Sequence, residues 1–328
     1  MKVLIVGGAG MVGRKLAERL ARDGTLGGKA ISQLALYDVV AAEKPAGAKF
    51  PVEISTGDLP AAGETDKLVA GKPDVIFHLA AIVSGEAEQD FDKGYRINLA
   101  GTMNLLDSIR RAYDGAARKP RLVFTSSIAV FGAPFPEKIG DEFFTTPLTS
   151  YGTQKAIGEL LLADYTRKGL LDGVGIRLPT ICVRPGKPNK AASGFFSNIM
   201  REPLAGQEAV LPVSDDVMHW HASPRAAVGF LLHAATIDGE TMGPRRNLSM
   251  PGVAVTVGGQ IEALRKVAGE KVVKRIRREP DPFVQKIVAG WPRNFETKRA
   301  ISLGFKADAS FEEIVKIHIE DELKGKIA

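Results

Sequence analysis

The sequence contains a single cysteine, Cys182, which excludes an internal disulfide framework and is typical of a protein kept in a reducing compartment. Its five histidines are scattered, and no Cys/His spacing resembles a zinc site, so we predict no metal. The apolar start of the chain passes into glycine within a few residues, too soon for a signal peptide or a membrane span. We therefore expect a cytoplasmic protein without a membrane partner.

The chain also lacks a basic stripe interleaved with aromatic residues, although its 328 residues carry a formal net charge of +6. This argues against a nucleic-acid partner and favours small acidic ligands. The densest basic run, residues 271–278, alternates partly with apolar residues and is predicted to be the solvent face of an edge strand.

The first half of the chain alternates buried-type strands with amphipathic helices, which predicts an α/β fold with a Rossmann-type, doubly wound parallel sheet. The predicted strands are residues 2–6, 31–37, 51–55, 74–78, 122–125 and 173–178. Beyond Pro179 the alternation fails and glycine and proline become frequent, which indicates a smaller C-terminal α+β substrate-binding domain. We expect domains at residues 1–180 and 181–328, the second interleaved with the first.

A glycine turn follows the first strand at once. Gly7, Gly10 and Gly13 form G-x2-G-x2-G between that strand and an amphipathic helix. One glycine permits the turn, one lets the backbone approach a pyrophosphate, and one lets helix and strand pack closely. With Met11 and Val12, these residues form the N-terminus of the helix, a predicted pyrophosphate site.

Two aspartates follow the next two strands. Asp38 lies roughly 25 residues beyond the last motif glycine, near the spacing of the acid that binds a ribose 2′-hydroxyl. Because its charge would repel a 2′-phosphate, the sequence favours NAD over NADP, with a simple turn aspartate as the alternative. Asp58, which precedes Leu59, can hydrogen-bond an adenine edge or cap a helix, and the sequence leaves both roles open.

The fourth predicted strand ends in His78, which we interpret as a hydrogen-bonded histidine at a strand end rather than a catalyst. Leu79, Ala80 and Ala81 continue from it. These residues leave the strand where the carboxyl edge of a parallel sheet binds ligands, and they can line a nicotinamide ribose.

Four polar residues are suited to removing a proton from an alcohol substrate. Ser126 and Ser127 leave the fifth strand at the carboxyl edge, and Tyr151 and Lys155 share one face of the helix that follows. A fixed ammonium beside a phenol stabilises the phenolate and lowers the phenol's pKa from about 10. Such a pair can take a proton from an alcohol; an exposed tyrosine and a solvated lysine are the alternative.

Taken jointly, these motifs make the chain resemble the extended short-chain dehydrogenase/reductase family, which includes nucleotide-sugar epimerases and dehydratases, over essentially its whole length. The segments that carry the resemblance are G-G-A-G-M-V-G at 7–13, Asp38, Asp58 with Leu59, H-L-A-A at 78–81, N-L-A-G-T at 98–102, S-S-I-A-V-F-G at 126–132 and Y-G-T-Q-K at 151–155.

The resemblance implies that Tyr151 is the general base or acid, that Lys155 lowers its pKa and holds the nicotinamide ribose, and that Ser127 orients the reacting oxygen. Ser126 is implied to contact substrate or to cap the strand, and Asn98 to anchor the helix or a water leading to Lys155. The implied NAD-binding residues are Gly7, Gly10, Met11, Val12, Gly13, Asp38, Asp58, Leu59, Leu79, Ala80, Ala81, Asn98, Tyr151, Lys155 and Pro179.

The second half departs from the nucleotide-sugar enzymes. Those enzymes typically carry an arginine and an aspartate before an aromatic residue, to hold the pyrophosphate of the sugar nucleotide. Here the segment is D-D-V-M-H-W-H-A-S-P at 215–224, without that arginine. The second half instead resembles a branch of the family that oxidises a four-carbon sugar acid with NAD.

A sugar-acid substrate needs a cation for its carboxylate and polar groups for its hydroxyls. Candidate cations and ring nitrogens in the second half are Arg184, Lys187, Lys190, His219 and His221. The expected substrate-binding residues are Ser126, Ser127, Tyr151, Arg184, His219 and His221.

Two other functions stay open from the sequence. A nucleotide-sugar epimerase or dehydratase would keep its NAD tightly bound, and a non-catalytic dinucleotide sensor could use the same fold. The sensor is disfavoured because the tyrosine, lysine and serine are all retained. The family often dimerises through helices that flank the active-site helix, so a homodimer is a further expectation.

Overall fold

A computed structural model describes residues 1–186 and 193–328 of the chain. Its strands are β1 Lys2–Val6, β2 Thr25–Leu26, β3 Lys29–Ala30, β4 Gln33–Asp38, β5 Val52–Thr56, β6 Val75–His78, β7 Arg121–Ser127, β8 Ile139–Gly140, β9 Asp172–Leu178, β10 Thr180–Ile181, β11 Ala209–Leu211, β12 Met218–Ala222, β13 Asn247–Ser249, β14 Val253–Thr256, β15 Ile276–Arg278 and β16 Phe295–Glu296.

The helices are α1 Met11–Asp23, α2 Glu64–Ala70, α3 Ser84–Gln89, α4 Phe91–Gly94, α5 Gly101–Ala112, α6 Ser150–Arg167, α7 Gly194–Leu204, α8 Pro224–Thr236, α9 Gly239–Met242, α10 Val257–Ala268, α11 Glu270–Val273, α12 Pro282–Ala289, α13 Lys298–Ser302 and α14 Phe311–Asp321. A π-helical segment, Tyr95–Ala100, joins α4 to α5. A 3₁₀ turn, Ile128–Val130, follows β7. Within the described residues, no helix combines the length and the apolar character that crossing a membrane requires.

The chain divides into two compact units, and both are discontinuous in sequence. The first comprises residues 1–130, 149–177 and 228–249, and the second comprises residues 131–148, 178–227 and 250–328. The predicted boundary at residue 180 lies close to the crossing between residues 177 and 178. The division into a cofactor domain and a substrate domain stays a prediction.

The first unit contains a seven-stranded sheet in the order β13-β9-β7-β6-β1-β4-β5. β1 pairs in parallel with both β4 and β6, and β6 pairs in parallel with β7. From β1 the chain first builds outward through β4 to β5 and then crosses back to β6. The gap between β1 and β6 is therefore the topological switch point, where the carboxyl ends of the strands open a ligand crevice.

Apolar side chains from both the sheet and the helices form the core of this unit. Leu4, Ile76 and Phe124 of the strands pack with Leu105 and Ile109 of α5, all of them at most 2% exposed. At roughly 25 cal/mol per Å² of buried apolar surface, such packing is the main stabilising term for a sheet covered by helices. It holds the strand ends rigidly at one edge.

The second unit has a separate apolar core in which Phe196, Met200, Leu211, Leu264 and Ile314 are fully buried. Its small sheets are β10-β12-β14, β11-β15 and β16-β8. The loop between β7 and α6 contributes β8 to this unit, where Ile139 is in register with Phe295.

The α/β class and the parallel Rossmann-type sheet are confirmed, and all six predicted strands are present within about two residues of their expected ends. The prediction for residues 271–278 was wrong in part. Residues 271–273 belong to α11. This helix begins directly after Gly269, which ends α10 and has a φ of 87°. Strand geometry is confined to Ile276–Arg278. The seventh strand, β13, was not predicted because three residues give too short a pattern.

Candidate active site

The glycine turn after β1 is held tightly against the ends of two neighbouring strands. The amides of Gly7 and Gly8 donate to the Tyr37 carbonyl at 2.8 and 3.0 Å. Gly7 has a φ of 99°, and a Cβ there would lie 2.6 Å from the Ala80 amide nitrogen. A Cβ on Gly13 would collide with the Gly7 carbonyl oxygen. These two glycines are therefore required by the fold itself.

Gly10 differs from both, because the protein leaves room for a side chain there. It is exposed, and the nearest atom to an added Cβ is the Gly7 oxygen at 3.5 Å, an ordinary contact. Gly10 is also the N-cap of α1 and has no capping side chain. The partly exposed Met11 and Val12 open the helix, whose N-terminal amides favour an anion. A glycine that packing does not require, at an uncapped helix start, fits the close approach of a pyrophosphate.

Asp38 is fixed beside this turn by two backbone amides. Its Oδ2 accepts from Ala9 at 2.9 Å and its Oδ1 accepts from Val39 at 2.7 Å. Each carboxylate oxygen keeps further acceptor capacity, which suits a vicinal diol. The carboxylate is thus held next to the glycine turn, as the predicted ribose contact requires.

Asp58 and Leu59 follow β5 at the same edge. The half-exposed Asp58 carboxylate pairs with Arg96 Nη1 at 2.5 Å. Leu59 is 5% exposed and packs under Gly101, where an added Cβ would lie 3.1 Å from Leu59 Cδ2. Neither proposed role of Asp58, adenine contact or helix cap, is decided by this ion pair, which the sequence did not predict.

The end of β6 lies against the glycine turn, because the amides of Leu79 and Ala80 both donate to the Val6 carbonyl, at 2.8 and 2.9 Å. Leu79, Ala80 and Ala81 are partly exposed, as expected for residues that line a cofactor. The switch-point crevice therefore lies between the turn after β1 and the segment after β6, its neighbour in the sheet.

His78 is a buried, neutral residue of this strand end. Its Nε2 lies 2.8 Å from Thr102 Oγ1, whose own hydrogen is donated to the Asn98 carbonyl, so Nε2 is the donor. Burial lowers the pKa of His78 to about 3, and the Lys155 ammonium acts in the same direction. This geometry agrees with the interpretation of a hydrogen-bonded histidine.

Asn98 lies in the π-helical segment and ties three parts of the site together. Its Oδ1 accepts from the Ile82 amide at 2.9 Å, and its Nδ2 donates to the Ile82 carbonyl at 3.2 Å and to Gln154 Oε1 at 2.8 Å. Gln154 directly precedes Lys155 on α6. Local π-helical turns often occur at functional sites, and here one directs a buried amide toward α6.

Tyr151 and Lys155 lie in the first turns of α6, which is capped by Thr149 accepting from the Gly152 amide at 3.0 Å. Lys155 is 4% exposed, and its Nζ donates to the Thr125 carbonyl at 2.8 Å. The same nitrogen lies 5.7 Å from the centre of the Tyr151 ring. Burial lowers the pKa of Lys155 to about 8, opposed by the charge of Glu159. At neutral pH, Lys155 is a buried cation next to a phenol.

Ser126 and Ser127 end β7 and face different surroundings. Ser126 is 3% exposed and its hydroxyl donates to Glu159 Oε1 at 2.5 Å. Ser127 is partly exposed and its Oγ accepts from the Ala129 amide at 3.1 Å. Ser127 therefore presents a hydroxyl at the strand end, whereas Ser126 is part of an internal network.

The other predicted residues belong to the second unit. Pro179 is buried between β9 and β10. His219 and His221 lie on β12, at 3% and 0% exposed; the first is 2.7 Å from Thr180 Oγ1. Burial lowers the pKa of His219 to about 4 and that of His221 well below its usual range.

Arg184 is partly exposed and donates to the Ile181 carbonyl and to Ser193 Oγ, both at 3.0 Å. Lys187 and Lys190 lie outside the described residues. The substrate-binding assignments in this unit stay predictions.

Two charged residues of this region, Glu159 and Arg177, were not predicted from the sequence. Arg177 Nη2 contacts Glu159 Oε2 at 2.6 Å, and Arg177 Nε contacts Glu159 Oε1 at 2.9 Å. One signal was available, since Glu159 follows Lys155 by four residues and so shares its helix face. Its partner, Arg177, lies on β9 rather than on α6 and could not be found from spacing.

The sheet and the site together define a dinucleotide-binding α/β protein with a serine, tyrosine and lysine at the carboxyl edge. The model of the NAD dependent epimerase/dehydratase family matches residues 3–221. The chain belongs to this family, and its resemblance to the extended short-chain dehydrogenase/reductases is confirmed.

Two relatives align over nearly the full length. A D-erythronate dehydrogenase of Cupriavidus necator is 47% identical over 325 residues, 98% of both chains. Another protein of that name, from Haemophilus influenzae, is 42% identical over 98% of this chain and 100% of its own.

A solved structure also aligns closely. It is described as a nucleoside-diphosphate-sugar epimerase from Agrobacterium tumefaciens and has a TM-score of 0.98 at 66% identity, covering 100% of this chain and 96% of that one. The fold is therefore shown by a near relative, while the names of the relatives point to two different activities.

Proposed function

We propose that the chain is a cytoplasmic NAD-dependent dehydrogenase that oxidises D-erythronate to 2-dehydro-D-erythronate (2-oxo-tetronate). The main observation that supports this chemistry is the buried Lys155 ammonium, which lies 5.7 Å from the centre of the Tyr151 ring. The substrate assignment is supported by the two full-length relatives named D-erythronate dehydrogenase. It is also supported by the resemblance of residues 183–196, 201–207, 219–225, 277–282 and 289–293 to that enzyme.

In this proposal Tyr151 acts as the general base. As a phenolate it removes the proton of the C2 hydroxyl, while Ser127 holds the same oxygen in line by a hydrogen bond. Lys155 stabilises the phenolate electrostatically and stays fixed because its Nζ also donates to the Thr125 carbonyl. NAD, when bound, would supply the hydride acceptor for C2.

The chain's own residues fit that cofactor. The uncapped start of α1 at Gly10 would hold the pyrophosphate and Asp38 the adenosine ribose. Lys155 and Asn98 would support the nicotinamide end, Asn98 through Gln154 and the backbone at Ile82. The fixed negative charge of Asp38 favours NAD over NADP.

Of the three predicted substrate contacts in the second unit, Arg184 is the one that carries a positive charge at neutral pH. His219 and His221 are neutral because burial lowers their pKa values. We therefore assign the substrate carboxylate to Arg184, with neutral histidines restricted to hydrogen bonding.

The competing activity comes from the 66% identical structure that is described as a nucleoside-diphosphate-sugar epimerase. An epimerase regenerates its cofactor and shows no net reduction. Mixing the protein with NAD and D-erythronate should give stoichiometric NADH, followed by absorbance, while UDP- and TDP-sugars should give none. Retained NAD after purification, together with conversion of a sugar nucleotide and no NADH from any C4 to C6 aldonate, would establish the epimerase instead.

Tyr151→Phe tests the base directly. Loss of general-base catalysis costs roughly 10² to 10⁴ in rate, so turnover should be largely abolished while NAD affinity stays within about twofold. NADH formation and an NAD titration by protein fluorescence measure the two effects. Normal turnover in this variant would contradict the mechanism.

A homodimer is the proposed assembly. The described faces of α5 and α6 carry two exposed apolar side chains, Met103 at 48% and Leu160 at 70% exposed, which a second copy would cover. Light scattering after gel filtration should give twice the chain mass, and Leu160→Glu should give the monomer mass. A monomeric parent protein would refute this assembly.

A further inference from the structure

Glu159 is the buried carboxylate nearest in sequence to the catalytic pair. It is 3% exposed, lies one helical turn beyond Lys155, and therefore points to the same side of α6. Burial of an isolated carboxylate is costly, so its partners must account for its position. Those partners connect it to two other elements of the first unit.

The first connection is to β9. Arg177, whose side chain is 12% exposed, forms a bidentate pair with Glu159, with the closest contact at 2.6 Å. Bidentate pairs of this type fix both groups in a single orientation. The carboxylate therefore cannot rotate away from the core.

The second connection is to β7. The Ser126 hydroxyl donates to Glu159 Oε1, and Ser126 is the immediate neighbour of Ser127. The same carboxylate thus anchors the strand end that presents Ser127 and lies on the helix that presents Tyr151 and Lys155. Both elements of the catalytic group are tied to one buried side chain.

The charges of this region balance only partly. Lys155 and Arg177 are cations, Glu159 is the anion between them, and His78, on the adjoining β6, is neutral because burial lowers its pKa to about 3. Tyr151 supplies a second negative charge only when it is ionised. Removing the Glu159 carboxylate would take a negative charge away from between Lys155 and Arg177, and the more easily neutralised of these two cations is lysine.

We propose that Glu159 is a positioning residue that keeps Lys155 protonated and holds the Ser126–Ser127 strand end against α6. Its effect on electrostatics is independent of the proposed function, whereas its effect on turnover rests on that function. The two consequences can therefore be tested separately.

The electrostatic test uses protein labelled with [ε-¹³C]lysine, with the Lys155 resonance assigned by its loss in Lys155→Met. Glu159→Gln keeps the size of the side chain and removes the charge, and should lower the pKa of Lys155 by about one pH unit or more. Arg177→Gln breaks the same ion pair from the other side and should not lower it. Ser126→Ala, which removes one hydrogen bond and no charge, is the matched control.

The kinetic test compares pH profiles of kcat/KM for D-erythronate. On the alkaline side of the profile, kcat/KM should fall as Lys155 loses its proton. In Glu159→Gln this fall should occur about one pH unit lower, whereas in Ser126→Ala its pH should not change even if the rate decreases. An unchanged Lys155 pKa in Glu159→Gln, or equal decreases in Glu159→Gln and Arg177→Gln, would overturn the inference. If the parent protein does not oxidise D-erythronate, the proposed function fails while the lysine titration still decides the role of Glu159. If Glu159→Gln does not fold, Arg177→Gln still decides the role of the Glu159 charge. A lower Lys155 pKa in Arg177→Gln would refute that role, and an unchanged or raised Lys155 pKa would support it.

Discussion

Replacing Lys155 by methionine should abolish turnover and at the same time stabilise the folded protein at neutral pH. Burial lowers the pKa of Lys155 from 10.5 to about 8. A difference of about 2.5 pH units corresponds to about 3 kcal/mol by which the charged lysine disfavours folding. Methionine has a similar length and carries no charge, so this cost disappears.

Part of that gain is offset. The Lys155 ammonium donates to the Thr125 carbonyl at 2.8 Å, and leaving this carbonyl without a donor costs about 1 to 3 kcal/mol. The expected net gain at pH 7 is therefore about 1 kcal/mol, or about 2 °C in Tm.

The stability difference between the parent protein and Lys155→Met should change sign with pH. The folded-state pKa of Lys155 is below the unfolded value, so between about pH 8 and 10.5 the unfolded chain binds more protons. The parent protein accordingly gains stability relative to Lys155→Met as the pH rises through this window. Above it, the variant should be the less stable protein, because only the lost hydrogen bond remains.

Urea unfolding followed by circular dichroism at pH 7, 8, 9 and 10 measures this difference. The exposed Lys29, replaced by methionine, is the matched control and should change stability by less than about 0.5 kcal/mol at each pH. If Lys155→Met is destabilised at pH 7 by as much as at pH 10, burial of the ammonium is not a cost to the fold and the reasoning is wrong.

Four further substitutions test other parts of the site. Gly13→Ala should destabilise the fold by about 3 kcal/mol or more because its Cβ meets the Gly7 carbonyl. Gly10→Ala should fold normally but bind NAD at least about tenfold more weakly. Urea unfolding measures the first effect and fluorescence titration with NAD the second, and equal effects of the two variants in both assays would count against a ligand role for Gly10. Asp38→Arg should shift the ratio of kcat/KM for NAD over NADP by at least about tenfold toward NADP, and an unchanged ratio would remove Asp38 from the ribose site. Asn98→Ala loses hydrogen bonds to Ile82 and Gln154 and should cost about 2 to 4 kcal/mol, with faster amide exchange at Ile82; unchanged exchange there would mean that Asn98 does not fix the loop after β6.

Much of the fold could be predicted because the information is local. The predicted strands at residues 2–6, 74–78 and 122–125 are short, largely apolar runs that end at glycine or at a polar residue, and Tyr151 and Lys155 reveal their shared face by spacing alone. The Gly10 turn likewise combines strand, turn and helix signals within one segment. These features need no knowledge of distant contacts.

The features that escaped prediction depend on residues far apart in sequence. Arg177 on β9 pairs with Glu159 on α6, and Arg96 pairs with Asp58 across 38 positions. Basic residues of the run 271–278 alternate partly with apolar residues, which suggested a strand, but Glu270–Val273 forms a short helix after Gly269. In each case tertiary packing decides between local options that the sequence leaves nearly equal.

The strand β13 has a consequence for how the protein is made. It is in parallel register with β9, with Leu248 opposite Ile176, although it is synthesised about 70 residues later, a delay of about 4 to 14 s at ribosomal rates of 5–20 residues per second. Until it emerges, β9 is an open strand edge with a side chain such as Ile176 awaiting cover. A fragment ending near residue 180 would keep that edge permanently. Such a fragment should aggregate, so attempts to isolate the first unit should instead retain the chain through residue 249.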